Sequence, residues 1–324
     1  MAKPKVYIDG QEGTTGLQIY DRLGKRDDIQ LLLIDPAKRK DTEERKKLLN
    51  AADLAFLCLP DKAAVEAVSL IDNENTRVID CSTAHRTNPD WVYGFPELRG
   101  QREKIAAAKR VANPGCHATG FISIVRPLMD LGLLEKNALL SCFSLTGYSG
   151  GGKKMIAEYE APGRKSYMDS PSLYSMLQRH KHLPEMQALC GLDHPPVFSP
   201  IVDDYYKGMA TTVPFHLSQF KPGTSLHSLC AALYEYYAGQ PMVWAVEDPS
   251  CEDLHVGMQI YSGVVSGKDW LSLTVAGNMD RFTITALFDN LGKGASGAAV
   301  QNMNLMLGFE ETKGLNLEPA WSGQ

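Results

Sequence analysis

The first hundred residues alternate between short apolar runs and segments of helical spacing, and this alternation constrains the fold more than any other feature. Segments such as TEERKKLLNAAD and KAAVEAVSLID separate the runs. The runs are KVYID (5–9), QLLLID (30–35), LAFLCLP (54–60) and RVIDCS (77–82). Strands that alternate with helices in this way form a parallel sheet wrapped by helices. The pattern therefore predicts an α/β domain, doubly wound, at the start of the chain.

A glycine-rich turn follows the first predicted strand, and LQIYDRLGKR continues it with helical spacing. Its residues include Gly10, Gly13, Thr14, Thr15 and Gly16. Glycines let a backbone turn tightly and approach a pyrophosphate, while the N–H groups of the helix start bind the anion. The spacing is GxxGxxG rather than the commoner GxGxxG, and a plain tight turn is the alternative. We interpret the unit as a Rossmann-type dinucleotide-binding domain.

The end of the second predicted strand carries charges that bear on the choice of dinucleotide. Asp35 ends the strand, where an acidic residue commonly holds the ribose hydroxyls of NAD. Lys38, Arg39 and Lys40 follow at once, and a basic cluster there can receive the 2′-phosphate of NADP instead. A solvated loop of mixed charge is the alternative to either role.

After residue 116 the sequence reads mostly as strands, with few helices, of which TSLHSLCAALYEYYAG is the clearest. The strand-like runs are ALLSCFSLTGYSG, MATTVPFHLSQF, LHVGMQIYSG, WLSLTVAGN and RFTITALFDN. Several of these runs alternate polar and apolar residues, as strands of an antiparallel sheet do. The pattern predicts an α+β domain with a mostly antiparallel sheet, beginning near residues 113–116.

Cys116 is the main candidate for chemistry, because Pro114-Gly115 precedes it and HATGFISIVRPLMDLGL follows with helical spacing. The positive end of a helix stabilises a thiolate. The preceding run VAN places the cysteine at the carboxyl edge of the sheet, where ligands of such folds bind. A small buried core residue is the alternative. We expect a nucleophilic thiolate here.

A thiolate nucleophile needs an acid–base partner, and LQRHKHLPEMQ supplies His180 and His182 with Glu185 nearby. Alternate residues of an extended segment point the same way, so both histidines could face one site. A surface pair or a metal site are the alternatives, although no further ligands lie at metal spacing, so we expect no metal. His117 adjoins the nucleophile but would point elsewhere in a helix, and we expect it to be structural.

Two further stretches could bind an anion. Arg86, in DCSTAHR, follows the fourth predicted strand and could grip a phosphate or carboxylate through two hydrogen bonds. TGYSGGGKK (146–154) is a glycine-rich turn with Ser149 and two lysines, which could cradle an anion with backbone N–H groups. The alternatives are a surface arginine and a mobile loop.

Composition excludes several classes of protein. The 324 residues, 44% of them hydrophobic, suffice for two domains, and the net charge of −5 gives no reason to expect nucleic acid as a partner. No apolar run approaches the ~20 residues that cross a membrane, and we recognise no signal peptide. The seven cysteines include no CxxC pair, so their spacing does not indicate a zinc cluster. We expect a cytoplasmic protein.

The motifs together resemble the N-acetyl-gamma-glutamyl-phosphate reductase family in its shorter type, over nearly the whole chain. The resemblance rests on DGQEGTTG, DCSTAHR, YGFPEL, NPGCHATG, HKHLPE and GKGASGAAVQNMN. It implies an NADP-dependent semialdehyde dehydrogenase of arginine biosynthesis, which reduces N-acetyl-L-glutamyl 5-phosphate to N-acetyl-L-glutamate 5-semialdehyde and phosphate through a cysteine thioester. It also implies a homo-oligomer, either a dimer or a tetramer.

The resemblance further implies an architecture like that of aspartate-semialdehyde dehydrogenases. Residues 1–115 would form the NADP-binding domain, completed by a C-terminal segment of about 293–324, and residues 116–292 the catalytic and oligomerisation domain. An aspartate- or aminoadipate-type semialdehyde dehydrogenase and an inactive nucleotide sensor are the alternatives.

The resemblance also implies roles for single residues. Cys116 would be the nucleophile and His182 the acid–base residue, with His180 close to the site. The other implied positions are the cofactor turn from Gly10 to Gly16, Asn302 near the nicotinamide, and Ser82 and Arg86 near the substrate phosphate. The longer family type has an acidic residue and Phe before that arginine, where this chain has Ala84-His85.

Overall fold

The computed structural model describes residues 2–11, 13–245 and 259–320. The chain divides into two compact units. The first contains residues 1–115 and 295–315, and the second contains residues 116–294 and 316–324.

The first unit is built on a parallel sheet of six strands in the order β2-β1-β3-β4-β6-β5. The strands are β1 Lys5–Asp9, β2 Gln30–Leu32, β3 Leu54–Leu57, β4 Arg77–Asp80, β5 Val92–Tyr93 and β6 Arg110–Ala112. The helices of this unit are α1 Thr14–Leu23, α2 Thr42–Ala51, α3 Asp61–Ser69, α4 Gln101–Ala107 and, late in the chain, α9 Gly297–Leu307.

Both faces of this sheet are buried, which is why its strands are continuously apolar. On one face Val6 and Ile8 pack in a core cluster with residues of α1, α4 and α9. On the other face Tyr7 packs in a second cluster with residues of α2 and α3. The doubly wound fold predicted from the alternating pattern is therefore confirmed.

Within the described residues, the second unit has a mixed sheet of seven strands in the order β11-β12-β13-β10-β7-β9-β8. The strands are β7 Ser141–Gly147, β8 Ser172–Leu173, β9 Val197–Asp203, β10 Met209–His216, β11 Val243–Ala245, β12 Leu271–Gly277 and β13 Arg281–Phe288. The helices are α5 Cys116–Asp130, α6 Gly152–Tyr159, α7 Leu183–Cys190 and α8 Leu226–Tyr236. Neighbouring strands are antiparallel except in the pairs β11–β12 and β7–β9. The predicted α+β character of this half is confirmed.

The run LHVGMQIYSG does not form the strand that its composition predicts where the structure describes it. Its first part, to residue 258, lies outside the described residues. Beyond that, Ser262–Val265 is a short 3-10 turn. The Ser262 hydroxyl donates to the Tyr205 hydroxyl at 2.7 Å, and the Ser262 carbonyl lies where a side chain at Gly208 would be. The segment Ser262–Val265 is thus held by its contacts with Tyr205 and Gly208 and not as a strand of the sheet.

The end of the chain is also divided differently from our expectation. Residues 295–315 group with the first unit, but the described residues 316–320 group with the second. Trp270 Nε1 donates to the Glu318 carbonyl at 3.0 Å, and Leu317 and Ala320 pack against the cluster around Trp270. The expectation that the segment to 324 completes the first domain is therefore wrong beyond residue 315. No helix in the described part of the chain is long and apolar enough to cross a membrane.

Candidate active site

The turn after β1 has two positions, Gly10 and Gly16, at which there is no room for a side chain. Gly10 has a φ of +85°, and a Cβ there would overlap the Cys58 carbonyl. A Cβ at Gly16 would overlap the Gly10 carbonyl, so both positions need glycine. The Gly13 N–H donates to the Gly10 carbonyl at 3.0 Å, which closes the turn directly before α1. A phosphate could therefore approach the backbone here.

The start of α1 holds polar groups that no protein group satisfies within the described residues. Gly13 caps the helix and has no side chain to bond to its first N–H groups. The Thr14 hydroxyl is buried and has no hydrogen-bond partner in the described part of the chain. Such groups suit an anion at the helix N-terminus.

A cavity of about 320 Å³ adjoins this turn. Arg39 and Lys40 line it, as do Asp9 and Arg45, whose buried carboxylate and guanidinium pair at 2.9 Å. Burial raises the pKa of Asp9, and Arg45 opposes that rise. The cavity thus has a cationic wall suited to a phosphate.

Two charged residues after β2, Lys38 and Asp35, are not placed as the sequence predicted. Lys38 is not among the residues that line the cavity, and its ammonium lies 3.7 Å from a carboxylate oxygen of Glu44. Asp35 follows β2 by three residues instead of ending it. Its carboxylate accepts a hydrogen bond from the Ala37 N–H at 2.9 Å and so caps a short 3-10 turn.

Ser82 belongs to a buried cluster at the carboxyl end of β4. Its hydroxyl donates to Asp80 Oδ2 at 2.7 Å, and His85 Nδ1 lies 2.6 Å from the same oxygen. The His85 ring also stacks on Trp91, with 4.0 Å between centroids. His85 therefore orients Asp80 and, through it, Ser82.

Arg86 is buried, with 9% of its surface exposed, and its side chain links two segments of the backbone. Its Nε donates to the Asn113 carbonyl at 3.0 Å and its Nη2 to the Cys81 carbonyl at 3.2 Å. These bonds tie together the residues that follow β4 and β6. The alternative of an exposed surface arginine is therefore wrong.

Asn302 lies on α9 and is fully buried. Its Nδ2 donates to the Gly94 carbonyl at 3.0 Å and to Asn113 Oδ1 at 3.1 Å. A Cβ at Gly94 would overlap Asn302 Nδ2, which explains the glycine in YGFPEL. Asn302 Oδ1 has no hydrogen-bond partner among the residues that the structure describes. The motifs that contain Gly94, Asn113 and Asn302 thus meet at the buried Asn302 amide, whose Oδ1 remains available as an acceptor within the described residues.

In the second unit, Cys116 is the first residue of α5, as its Pro-Gly prefix predicts. It is half-buried, whereas Cys142 and Cys190 are buried, and burial raises the pKa of both of those thiols. A Cβ at Gly294 would lie 3.0 Å from Cys116 Cβ, so the glycine of GKGASG leaves room beside the thiol. Accessibility thus separates Cys116 from these two buried cysteines.

His180 and His182 lie together, with 4.7 Å between ring centroids. The His182 N–H donates to His180 Nδ1 at 3.2 Å, which leaves the proton of a neutral His180 on Nε2. His182 is buried at the start of α7, where its Nε2 lies 4.0 Å from the buried carboxylate of Glu185. The predicted pair of histidines is therefore brought together, with Glu185 beside it.

His117 does not point away from this pair, contrary to our expectation. Its ring centroid lies 5.3 Å from that of His180 and 5.6 Å from that of His182. Its Nδ1 lies 2.8 Å from Ser144 Oγ and its Nε2 lies 2.7 Å from the Tyr174 hydroxyl. Burial, with the charges of His180 and Lys181, lowers the pKa of His117 to about 3. The first turn of α5 faces the strands of its own unit here, so this ring stays neutral at the centre of the cluster.

Tyr174 is a residue of this cluster that the sequence analysis missed. Its N–H donates to the Pro200 carbonyl of β9 at 3.1 Å. Farther along, the Gln178 side chain pairs with the backbone of Phe198 through two hydrogen bonds of 2.8 Å. These bonds fix the segment that leads to His180. A tyrosine six residues before that histidine is the only signal that the sequence carries.

Ser149 is buried, and its hydroxyl accepts a hydrogen bond from Asn290 Nδ2 at 3.0 Å. Its N–H donates to the Tyr206 carbonyl at 3.0 Å. Lys153 and Lys154, the lysines of the same turn, are exposed. The turn is therefore held by hydrogen bonds, with its serine hydroxyl buried and its two lysines exposed to solvent.

Comparison with known proteins defines the class. Residues 5–108 match a family model described as semialdehyde dehydrogenase, NAD binding domain. Residues 116–290 match one described as semialdehyde dehydrogenase, dimerisation domain. An aspartate semialdehyde dehydrogenase II from Vibrio cholerae has the same fold, with a TM-score of 0.67 and 15% identity over 95% of this chain and 99% of that one. The chain belongs to the semialdehyde dehydrogenase family.

More similar relatives identify the group within that family to which this chain is similar. Proteins of Brucella ovis and Brucella canis, each named N-acetyl-gamma-glutamyl-phosphate reductase, are 49% identical to this chain over 311 residues. The matches cover 94% of this chain and 99% of each relative. The resemblance inferred from the motifs is confirmed.

Proposed function

We propose that this protein reduces N-acetyl-L-glutamyl 5-phosphate to N-acetyl-L-glutamate 5-semialdehyde with NADPH, as a step of arginine biosynthesis. The observation that carries the proposal is the half-buried Cys116 at a helix start, in a unit that also brings three histidine rings together. The relatives that are 49% identical are named for this reaction.

Cys116 is the nucleophile in this proposal. Its thiolate attacks the acyl carbon, phosphate leaves with the bonding electrons of the C–O bond, and a thioester remains on the chain. The first N–H groups of a helix have no acceptor within the helix itself, and those of α5 are proposed as donors for the oxygen that becomes negative in this step. One such donor is typically worth about 3–4 kcal/mol of transition-state stabilisation.

His182 is proposed to move the proton, with the buried Glu185 carboxylate 4.0 Å from its Nε2 as the group that orients it. His180 is the alternative proton carrier. Because its Nδ1 accepts the His182 N–H, His180 in its neutral form can donate from Nε2 to an oxygen. The pair thus combines a proton carrier and a donor.

NADP is the proposed cofactor, and its reduced form, NADPH, would supply the hydride that reduces the thioester to the aldehyde level. The backbone from Gly10 to Gly16, with the Thr14 and Thr15 hydroxyls, is proposed to hold the pyrophosphate. Lys38 and Arg39 are proposed to hold the 2′-phosphate. Asn302, with its unused Oδ1, is proposed to hold the nicotinamide carboxamide, whose NH₂ group is a donor.

Ser82, Arg86 and Ser149 are the proposed substrate positions. These side chains form hydrogen bonds with other groups of the protein, so we expect each of them to act chiefly by aligning the backbone next to it. The protein is further proposed to be a cytoplasmic homo-oligomer, a dimer or a tetramer, without nucleic-acid or membrane partners. Phe143 and Val197, exposed on neighbouring strands of the second sheet, support an association surface there.

The reverse reaction tests the proposal. Purified protein is given NADP, phosphate and one of three aldehydes, which are N-acetylglutamate, aspartate and aminoadipate semialdehyde. The proposal predicts phosphate-dependent NADPH formation that is fast on the acetylated aldehyde alone. Turnover on another aldehyde alone would keep the thioester chemistry and overturn the substrate, and nucleotide binding with no turnover at all would favour a sensor.

A further inference from the structure

Four polar side chains form a continuous hydrogen-bonded chain behind the first turn of α5. Thr211 Oγ1 lies 2.7 Å from Ser144 Oγ, Ser144 Oγ lies 2.8 Å from His117 Nδ1, and His117 Nε2 lies 2.7 Å from the Tyr174 hydroxyl. Thr211 and Ser144 are fully buried, and His117 is 3% exposed. Water therefore does not reach the far end of this chain.

The buried end fixes the direction of the hydrogen bonds. Within the described residues the Thr211 hydroxyl forms its hydrogen bond with Ser144 Oγ. A buried hydroxyl proton without an acceptor is costly, so Thr211 donates to Ser144. The Ser144 proton then goes to His117 Nδ1, and a neutral imidazole that accepts at Nδ1 carries its proton on Nε2. His117 consequently donates to the Tyr174 oxygen.

This direction holds over the physiological pH range because His117 stays neutral. Its pKa is lowered to about 3 by burial and by the charges of His180 and Lys181. Only a protonated imidazole would donate at both nitrogens and reverse the Ser144 bond. The tyrosine oxygen therefore receives a hydrogen bond, and its own proton is left to donate elsewhere.

We propose that Tyr174 is a further catalytic residue, which donates its hydroxyl proton to the sulfur of Cys116 and so stabilises the thiolate. The inference rests on Cys116 being the nucleophile of the proposed function, and it adds a residue and a buried orienting chain to that site. The Tyr174 hydroxyl bonds to the side chain of His117, the residue directly after Cys116, and Tyr174 is half-buried.

The electrostatics agree with this placement. Burial and, after it, the charge of Cys116 raise the pKa of Tyr174, so the two groups are close enough to interact and the phenol keeps its proton. The other titratable groups around the cluster are His117 on α5, His180 and Lys181 before α7, and His182 and Glu185 at its start. Removing the phenol oxygen takes the acceptor from His117 Nε2 but adds or removes none of these other titratable groups.

The test is the pH dependence of alkylation of Cys116 by iodoacetamide, followed on the peptide that contains Cys116. Tyr174→Phe removes the donor and keeps the ring. A hydrogen bond to an ionised group is worth enough to shift the midpoint of alkylation upward by about one pH unit or more. The matched control is Tyr167→Phe, because Tyr167 is 69% exposed on the same stretch of chain, and it should leave the midpoint unchanged.

Thr211→Val provides a second variant that is independent of the tyrosine. It removes the hydroxyl that sets the direction of the chain while keeping the shape of the side chain, so we expect a smaller upward shift. An unchanged midpoint in both Tyr174→Phe and Thr211→Val would overturn the proposal, as would an equal shift in Tyr167→Phe. If Tyr174→Phe does not fold, Thr211→Val decides alone. The assay needs no substrate, so it can succeed even if the protein reduces a different acyl phosphate.

Discussion

Replacing the buried His117 by Gln should remove about 2 kcal/mol of the stability that the folded protein loses on acidification. The folded protein holds the pKa of His117 at about 3, against an ordinary value of 6.5. Between these values the unfolded chain binds a proton that the folded chain does not, so stability falls as the pH decreases. Each pH unit inside the window is worth about 1.4 kcal/mol. Between pH ~7.5 and pH ~5, this residue should cost the folded state about 2 kcal/mol.

The assay is urea unfolding of the native chain and of His117→Gln at both pH values. Gln cannot be protonated, and the other titrating groups are common to both proteins. The difference between their unfolding free energies should therefore shrink by about 2 kcal/mol on acidification. Loss of the hydrogen bonds to Ser144 and Tyr174 lowers the stability of the variant at both pH values and does not affect this comparison. An equal acid sensitivity of the two proteins would show that His117 is not held neutral.

Three further substitutions test the positions of single groups. Gly94→Ala drives a methyl group into Asn302 Nδ2, so the free energy of unfolding should fall by about 1–3 kcal/mol and KM for NADPH should rise. Arg39→Ala removes a cation that lines the cavity, so KM for NADPH should rise about tenfold, with little change in KM for NADH. Gln178→Ala breaks both bonds to the Phe198 backbone, and kcat should fall about tenfold while KM for the cofactor stays constant.

Each of these variants has a distinct contrary outcome. Gly263 has open space around it and an ordinary φ, so Gly263→Ala is the control for a methyl group added without overlap, and a loss as large as at Gly94 would refute the steric argument. An equal loss with NADPH and NADH in Arg39→Ala would remove this residue from the 2′-phosphate site. An unchanged kcat in Gln178→Ala would show that the segment before His180 is held by other bonds.

The central strands of the first sheet, β1, β3 and β4, were predictable because they are largely buried and therefore form mostly apolar runs. The edge strand β5 was not predicted, because it has only two residues. In the second unit, β9 escaped the sequence analysis because its run VFSPIVD carries a proline and alternates in burial. α6 begins with glycines and α7 has Pro184 in its first turn, so neither has an obvious helical start in the sequence. Tertiary contacts decide these elements more than local preference does.

Those parts of the site that are set by residues adjacent in the sequence could be predicted. Pro-Gly before Cys116 marks a helix start, and two histidines separated by one residue lie together in the structure. The surroundings of His117 were not predictable, because Ser144 and Tyr174 lie 27 and 57 residues away in the sequence. Only the arrangement of β7, β9 and the segment after β8 brings them to the first turn of α5.

The thioester on Cys116 is the central claim, and trapping it is the most direct test. The protein is mixed with NADP and N-acetylglutamate semialdehyde in the absence of phosphate, and the peptide that contains Cys116 is examined by mass spectrometry. The account predicts a burst of NADPH equal to the number of active sites and an N-acetylglutamyl group on Cys116, which added phosphate removes. NADPH formation without an acyl group on that cysteine, or an undiminished burst in Cys116→Ser, would contradict it.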